Sequence, residues 1–134
     1  MNKEDRIRQR EANNKWEKRK SSYFISEIYP EVIEISLDLK FDYPNAFSDH
    51  KPLRTTKHLP LDKAYFEIDC INSDCLHSDL RLDNEIRSTI KQKLDFCEGY
   101  KICNGYNTFS CYEQNHGTCL TRLDYKIKIK YKNI

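Results

Sequence analysis

Six cysteines stand in this 134-residue chain, at positions 70, 75, 97, 103, 111 and 119. No other residue type here offers as much chemistry, because a thiolate can bind soft metals, attack electrophiles or form disulfides. Cys70 and Cys75 make a C-x4-C pair just after an apolar-alternating stretch. Cys103 and Cys119 bracket a segment with few aliphatic residues, which needs some other source of order. Structural zinc sites take two close-spaced ligands and a second pair from a distant loop, with sulfurs about 2.3 Å from the metal. The spacing therefore predicts one structural Zn2+ held by Cys70, Cys75, Cys103 and Cys119, tying residues 70–75 to the 97–119 segment. Cys97, Cys111, His77 and His116 are spare ligand candidates, and six cysteines with two histidines would even suffice for two sites. The plainer alternative is a set of free thiols packed as small apolar residues.

The thiol chemistry depends on compartment. The N-terminal Met-Asn-Lys-Glu-Asp-Arg is charged where a secretory signal needs an apolar core. A cytoplasmic, reducing location is expected, which favours metal over disulfides. Catalysis is not expected. A closed set of four thiolates lacks the open position of a catalytic zinc. A nucleophilic cysteine would need a base, and only His77 near Cys75 and His116 near Cys119 are close in sequence. There is no HExxH and no phosphate-binding glycine loop.

The elements that must position these cysteines follow from hydrophobic period. Residues 33–43 alternate, with Ile33, Ile35, Leu37, Leu39, Phe41 and Tyr43 on one side and charged or polar residues on the other. Residues 122–132 do the same with Leu123, Tyr125, Ile127, Ile129 and Tyr131. Both read as half-buried strands. Antiparallel pairing would set Glu34, Asp38 and Asp42 near Lys126, Lys128 and Lys130. A third strand is predicted over 64–69, with Phe66 and Ile68 inward. A helix is predicted over 83–95 on Leu82, Ile86, Ile90 and Leu94, with Asp83 as N-cap. Residues 44–63, with three prolines, read as a long loop. The fold class expected is α+β, a small antiparallel sheet with one packed helix, a zinc-tied cysteine-rich loop and a projecting N-terminal helix.

That N-terminal helix, residues 3–20, has almost no apolar stripe. Ile7 and Trp16 are 900° apart at 100° per residue and so lie on opposite sides. The expectation is that Trp16 anchors the helix near Tyr23 and Phe24 while Arg6 to Arg10 reach outward. The chain divides accordingly into a basic helix over 1–22 and a single zinc-stabilised domain over 23–134.

The stretch Ala64-Tyr65-Phe66-Glu67-Ile68-Asp69-Cys70, then Cys75, a helix, Glu98-Gly99, Cys103-Asn104-Gly105, and Cys119 with Leu123-Asp124-Tyr125-Lys126-Ile127, resembles a family of small uncharacterised bacterial and phage-type proteins. Their pattern runs F-E-x-x-C-x4-C, a helix, E-G, C-x-G, then C-x3-L-x-Y-x-I. The resemblance covers most of the chain and implies Cys70, Cys75, Cys103 and Cys119 as the shared quartet, with Cys97 and Cys111 as extras. A Gly-Gly-Phe-Asp-Leu-like turn of the family appears here as His77-Ser78-Asp79-Leu80. The family brings no activity with it.

Charge divides by segment under a net +2. Residues 1–20 carry eight basic and four acidic groups, whereas residues 21–50 carry one basic and six acidic. Two binding functions fit. One is a protein-binding adaptor or inhibitor, phage- or host-defence-related, that uses the thin-striped helix and a tyrosine-rich surface. The other is a nucleic-acid-binding accessory protein using the basic helix, the 51–63 loop and the C-terminal lysine strand. The candidate partner-binding residues are Arg6, Arg8, Arg10, Trp16, Lys51, Arg54 and Lys57.

Overall fold

The structure is a computed structural model and describes residues 3–42, 52–71, 75–107 and 119–132. In chain order the elements are α1 (Lys3–Ser21), α2 (Ile25–Ile28), β1 (Val32–Asp42), β2 (Leu53–His58), β3 (Cys75–Leu76), α3 (Asp83–Lys91), β4 (Phe96–Ile102), β5 (Tyr106–Asn107) and β6 (Arg122–Tyr131). The two alternating segments form the antiparallel pair β1–β6, with Leu37 opposite Ile127 and Leu39 opposite Tyr125. β2 joins the free edge of β1 and β4 the free edge of β6, giving a four-stranded antiparallel sheet in the order β2-β1-β6-β4. The fold is α+β.

One face of this sheet is the core. Ile35, Leu37, Leu39 and Phe41 from β1 and Leu123, Ile127 and Ile129 from β6 are buried. Ile25 of α2, Leu80, Leu82, and Ile86 and Ile90 of α3 join the same cluster. The other face is polar, and its charges meet: Lys128 pairs with Asp38 at 3.2 Å and Lys130 with Glu34 at 3.2 Å. Cross-strand pairs of this kind contribute roughly 0.2–1 kcal/mol each and favour this partnering of strands.

Several expectations require correction. The register slips between Val32 and Glu34, so Val32 turns inward and Ile33 is exposed. Residues 64–69 are not a regular strand. They form a short ribbon with 80–82 through Ile68 N–H to Leu80 O (2.7 Å) and Leu82 N–H to Phe66 O (2.9 Å), with Phe66 and Ile68 buried as expected. The sheet's extra strands come from segments read as loops: β2 from 44–63 and β4 from 97–119. α3 stops at Lys91 because Lys93 takes a left-handed backbone, and Leu94 is left half-exposed. Its N-cap is Leu82. Asp83 sits in the first turn, where its carboxylate accepts the Phe66 N–H at 3.1 Å and Arg81 Nε at 3.0 Å.

α1 forms over almost the predicted span and stands outside the core, but Trp16 does not anchor it. Trp16 is 58% exposed with the Lys20 ammonium 4.7 Å from its ring centroid. The docking face instead repeats every four residues. Ile7 is half-buried, Glu11 accepts from His77, Lys15 meets Asp69 (3.3 Å) and Glu67 (3.7 Å), and the Arg19 guanidinium lies over Tyr65. A polar face at helical spacing does what an apolar stripe ordinarily does. Among the described residues no helix is long and apolar enough to cross a membrane.

Candidate metal centre

Three local pairings carry the cysteines to one end of the sheet. The 66–68/80–82 ribbon holds the stem of a turn, with Cys70 on one arm and Cys75 on the other. β3 pairs with β5, Cys75 opposite Asn107 and Leu76 opposite Tyr106, and so brings the turn after β4 against Cys75. Beyond the β4–β6 ladder, Cys103 N–H donates to Thr121 O (2.9 Å), Leu120 N–H to Cys103 O (3.1 Å) and Cys119 N–H to Gly105 O (2.8 Å). Two elements thus supply Cys70 and Cys75, and the extended sheet end supplies Cys103 and Cys119.

The four sulfurs lie within 4.8 Å of one another. Cys70 and Cys119 are 3.6 Å apart, as are Cys75 and Cys103. These separations exceed the roughly 2.05 Å of a disulfide. A tetrahedron with ligands about 2.3 Å from its centre has edges of about 3.8 Å, so the cluster has the size needed to hold a metal ion. Cys103 and Cys119 are buried and Cys70 and Cys75 half-buried.

Groups around the sulfurs orient them, as outer partners of metal ligands do. Gly105 N–H points at Cys103 Sγ at 3.4 Å, and the fully buried Thr121 hydroxyl lies 3.1 Å from Cys119 Sγ. Ser78 Oγ is 3.7 Å from Cys103 Sγ. Gly105 has no room for a side chain: an added Cβ would fall 2.3 Å from Cys75 Sγ and 2.8 Å from Leu76 O. Asp79 fixes the same turn, its carboxylate accepting Asn104 N–H (2.9 Å) and Nδ2 (3.2 Å). Burial, and then the adjacent Cys103, push the Cys75 thiol well above its ordinary range. A divalent cation at the centre would reverse that bias, since a coordinating thiol gives up its proton.

The remaining candidates separate from this cluster. His77 turns to α1, where Glu11 accepts its Nδ1 at 2.6 Å and its backbone N–H at 2.7 Å. Cys97 is half-buried on β4 and is not a member of the cluster. Cys111, His116 and Lys51 lie outside the described residues. The candidate partner-binding residues do not form one patch. Arg6, Arg8 and Arg10 precede Glu11 on α1, toward the cysteine end, with Arg6 and Arg10 exposed and Arg8 half-buried. Arg54 and Lys57 lie on β2 but on opposite faces of it: Arg54 lies over the Phe41 ring, and the Lys57 ammonium reaches Glu34 at 4.0 Å.

Sequence reasoning missed Thr121, Asp79 and Glu11 as supports of the site. Thr121 carries a usable signal, since a hydroxyl two residues after a ligand cysteine can turn back to its sulfur. Glu11 carries none, being 66 residues from His77. No family model matches the chain, and neither the curated proteins nor the solved structures compared with it include a match.

Proposed function

We propose that this protein is a non-enzymatic binding module built around one structural Zn2+ ligated by Cys70, Cys75, Cys103 and Cys119, and that it acts as a protein-binding adaptor or inhibitor. The observation that carries the zinc assignment is the closeness of the four sulfurs, since an all-thiolate tetrahedral set suits zinc and leaves no open position for substrate. The binding role is supported by α1. Its body-facing side is occupied by Glu11, Lys15 and Arg19, while Trp16, Arg6 and Arg10 face outward. Tryptophan and arginine are the residues that most often dominate protein interfaces. The nucleic-acid alternative is weakened because Lys128 and Lys130 of the C-terminal strand already pair with Asp38 and Glu34. The family resemblance drawn from the cysteine pattern belongs to the same proposal.

Elemental analysis of protein purified without added metal should give about one zinc per chain. Capture from nuclease-treated host lysate should then recover a protein that Trp16→Ala, or deletion of residues 2–12, fails to retain. Recovery only from lysate with intact nucleic acid would favour the alternative. Another metal, or none, would overturn the zinc assignment.

A further inference from the structure

A concavity lies where the last turn of α1 faces β2 and the 61–69 segment. Its volume is about 500 Å³, inside the roughly 300–1,000 Å³ typical of small-molecule sites. Arg19 and Arg54 bring two guanidiniums to its wall, against the carboxylates of Asp62, Glu67 and Asp69. The Lys63 ammonium is held by Ser22 O at 2.9 Å, and that of Lys57 turns to Glu34 on the polar face of the sheet.

The carboxylates are already engaged. Lys15 reaches both Glu67 and Asp69, Glu67 also accepts the Tyr65 hydroxyl, and Asp62 accepts the Leu59 N–H at 2.7 Å. The two guanidiniums are not. Arg19 lies 5.5 Å from the Tyr65 ring centroid and Arg54 lies 5.7 Å from that of Phe41, and among the described residues neither pairs with a carboxylate. Thr56 Oγ1 and His58 Nε2, 3.1 Å apart, add neutral hydrogen-bonding groups to the wall. Burial holds His58 below its ordinary range, so the positive charge comes from the two arginines. Rings that fix a guanidinium in place leave its planar N–H fork free, and that fork matches the oxygens of a phosphate.

We propose that this cavity binds a phosphate oxyanion, held by Arg19 and Arg54 with Thr56 and His58 beside it. The site is independent of the cysteine cluster and of the protein-docking role of α1. Its volume leaves space for the organic part of a phosphate monoester, so free phosphate and a small phosphorylated molecule are the two sources of the same chemistry.

Calorimetric titration of the full, metal-loaded chain at low salt with inorganic phosphate, adenosine 5′-monophosphate and adenosine tests this. The monophosphate should bind and adenosine should not. Tighter binding of the monophosphate than of phosphate assigns the ester as the source, and equal binding assigns the free ion. Either anion should lose about tenfold or more in affinity in Arg54→Gln, as a charge-assisted contact is removed. Lys91→Gln, at the exposed end of α3, should bind as the parent does. Arg54 is exposed on an edge strand, so its variant should keep the parent's thermal stability; Arg19→Gln provides a second reading. Absence of binding by both anions at millimolar concentration overturns the proposal. So does unchanged affinity in both arginine variants, or adenosine binding as tightly as its monophosphate.

Discussion

The sheet and α1 are attached to the same body by different physics. Between β1 and β6 the contact is a ladder of hydrogen bonds backed by fully buried Leu37, Leu39, Phe41, Leu123 and Ile127. Between α1 and the body the described contacts are an acid on a histidine, a lysine shared by two carboxylates, and a guanidinium over a ring. Apolar burial contributes about 25 cal/mol per Å² and does not depend on ionic strength in this range, whereas exposed ion pairs contribute about 0–1 kcal/mol and weaken with salt. The sheet should therefore open only with global unfolding, while α1 can leave and return without it. The cysteine cluster stands between the two, since His77, which receives Glu11, follows Cys75 and Leu76 directly.

The sharpest way to break that arrangement is at the cluster. Gly105→Ala would drive a methyl group into Cys75 Sγ and Leu76 O, so metal content should fall well below that of the parent. Binding of structural zinc to small domains supplies about 10–16 kcal/mol, so the sheet end should also become protease-sensitive. Cys70→Ser should act the same way, measured by elemental analysis and limited proteolysis. Metal retained in full in Cys70→Ser would remove that residue from the ligand set.

Within the sheet, Ile127→Ala should cost about 2–5 kcal/mol in urea unfolding, with every spectroscopic probe shifting together. Lys15→Ala should instead cost about 1 kcal/mol or less globally. Its effect should appear as faster amide exchange confined to α1, and added salt should reproduce it in the parent protein. A uniform loss of protection in Lys15→Ala would show that α1 is part of the cooperative unit.

The smallest effect belongs to the polar face of the sheet. A hydrogen bond from Lys128, then one from Thr55, holds the Asp38 carboxyl below its usual 3.8. A depressed acid stabilises the fold above its unfolded value, and that contribution is lost as the pH falls through the folded value. Asp38→Asn should thus be a few tenths of a kcal/mol less stable near neutral pH, because the pair is exposed and screened, and the difference should vanish as acid titrates the parent's carboxylate.

The parts legible in the sequence were those with a strong period and a complete one. β1 and β6 each combine an apolar row with a charged row, so their faces from residue 35 onward followed from the pattern, and the pattern made the ion pairs between them one of two open outcomes; the slip that exposes Ile33 did not follow from it. The cysteine quartet was legible because spacing and loop composition pointed to the same four residues. β2 was hidden because Leu53–His58 is an edge strand, where neither face has to be apolar. β4 was hidden because Cys97, Gly99 and Lys101 occupy its inward positions, and Tyr125 fills the space that a side chain at Gly99 would take. The 64–69 segment misled for the opposite reason. Its alternation is real, but its partner is another irregular stretch at 80–82 rather than the sheet. The docking of α1 was invisible, since Glu11 and Lys15 look like any solvated charges until the folded chain brings up His77 and Asp69.

The position of β6 in the sheet bears on synthesis. It is made after every other described element, yet it lies between β1 and β4. Until residue 131 has emerged, one edge of β1 and the neighbouring edge of β4 lack their partner, and Cys119 has no ladder to hold it. At about 5–20 residues per second, the stretch from the end of β1 to the end of β6 takes several seconds to make. During that interval β1 presents one unpaired edge and an uncovered apolar face, the kind of surface that chaperones bind and that aggregates when exposed. The alternating acids of β1, Glu34, Asp38 and Asp42, put like charges between copies that would stack before β6 arrives with its lysines.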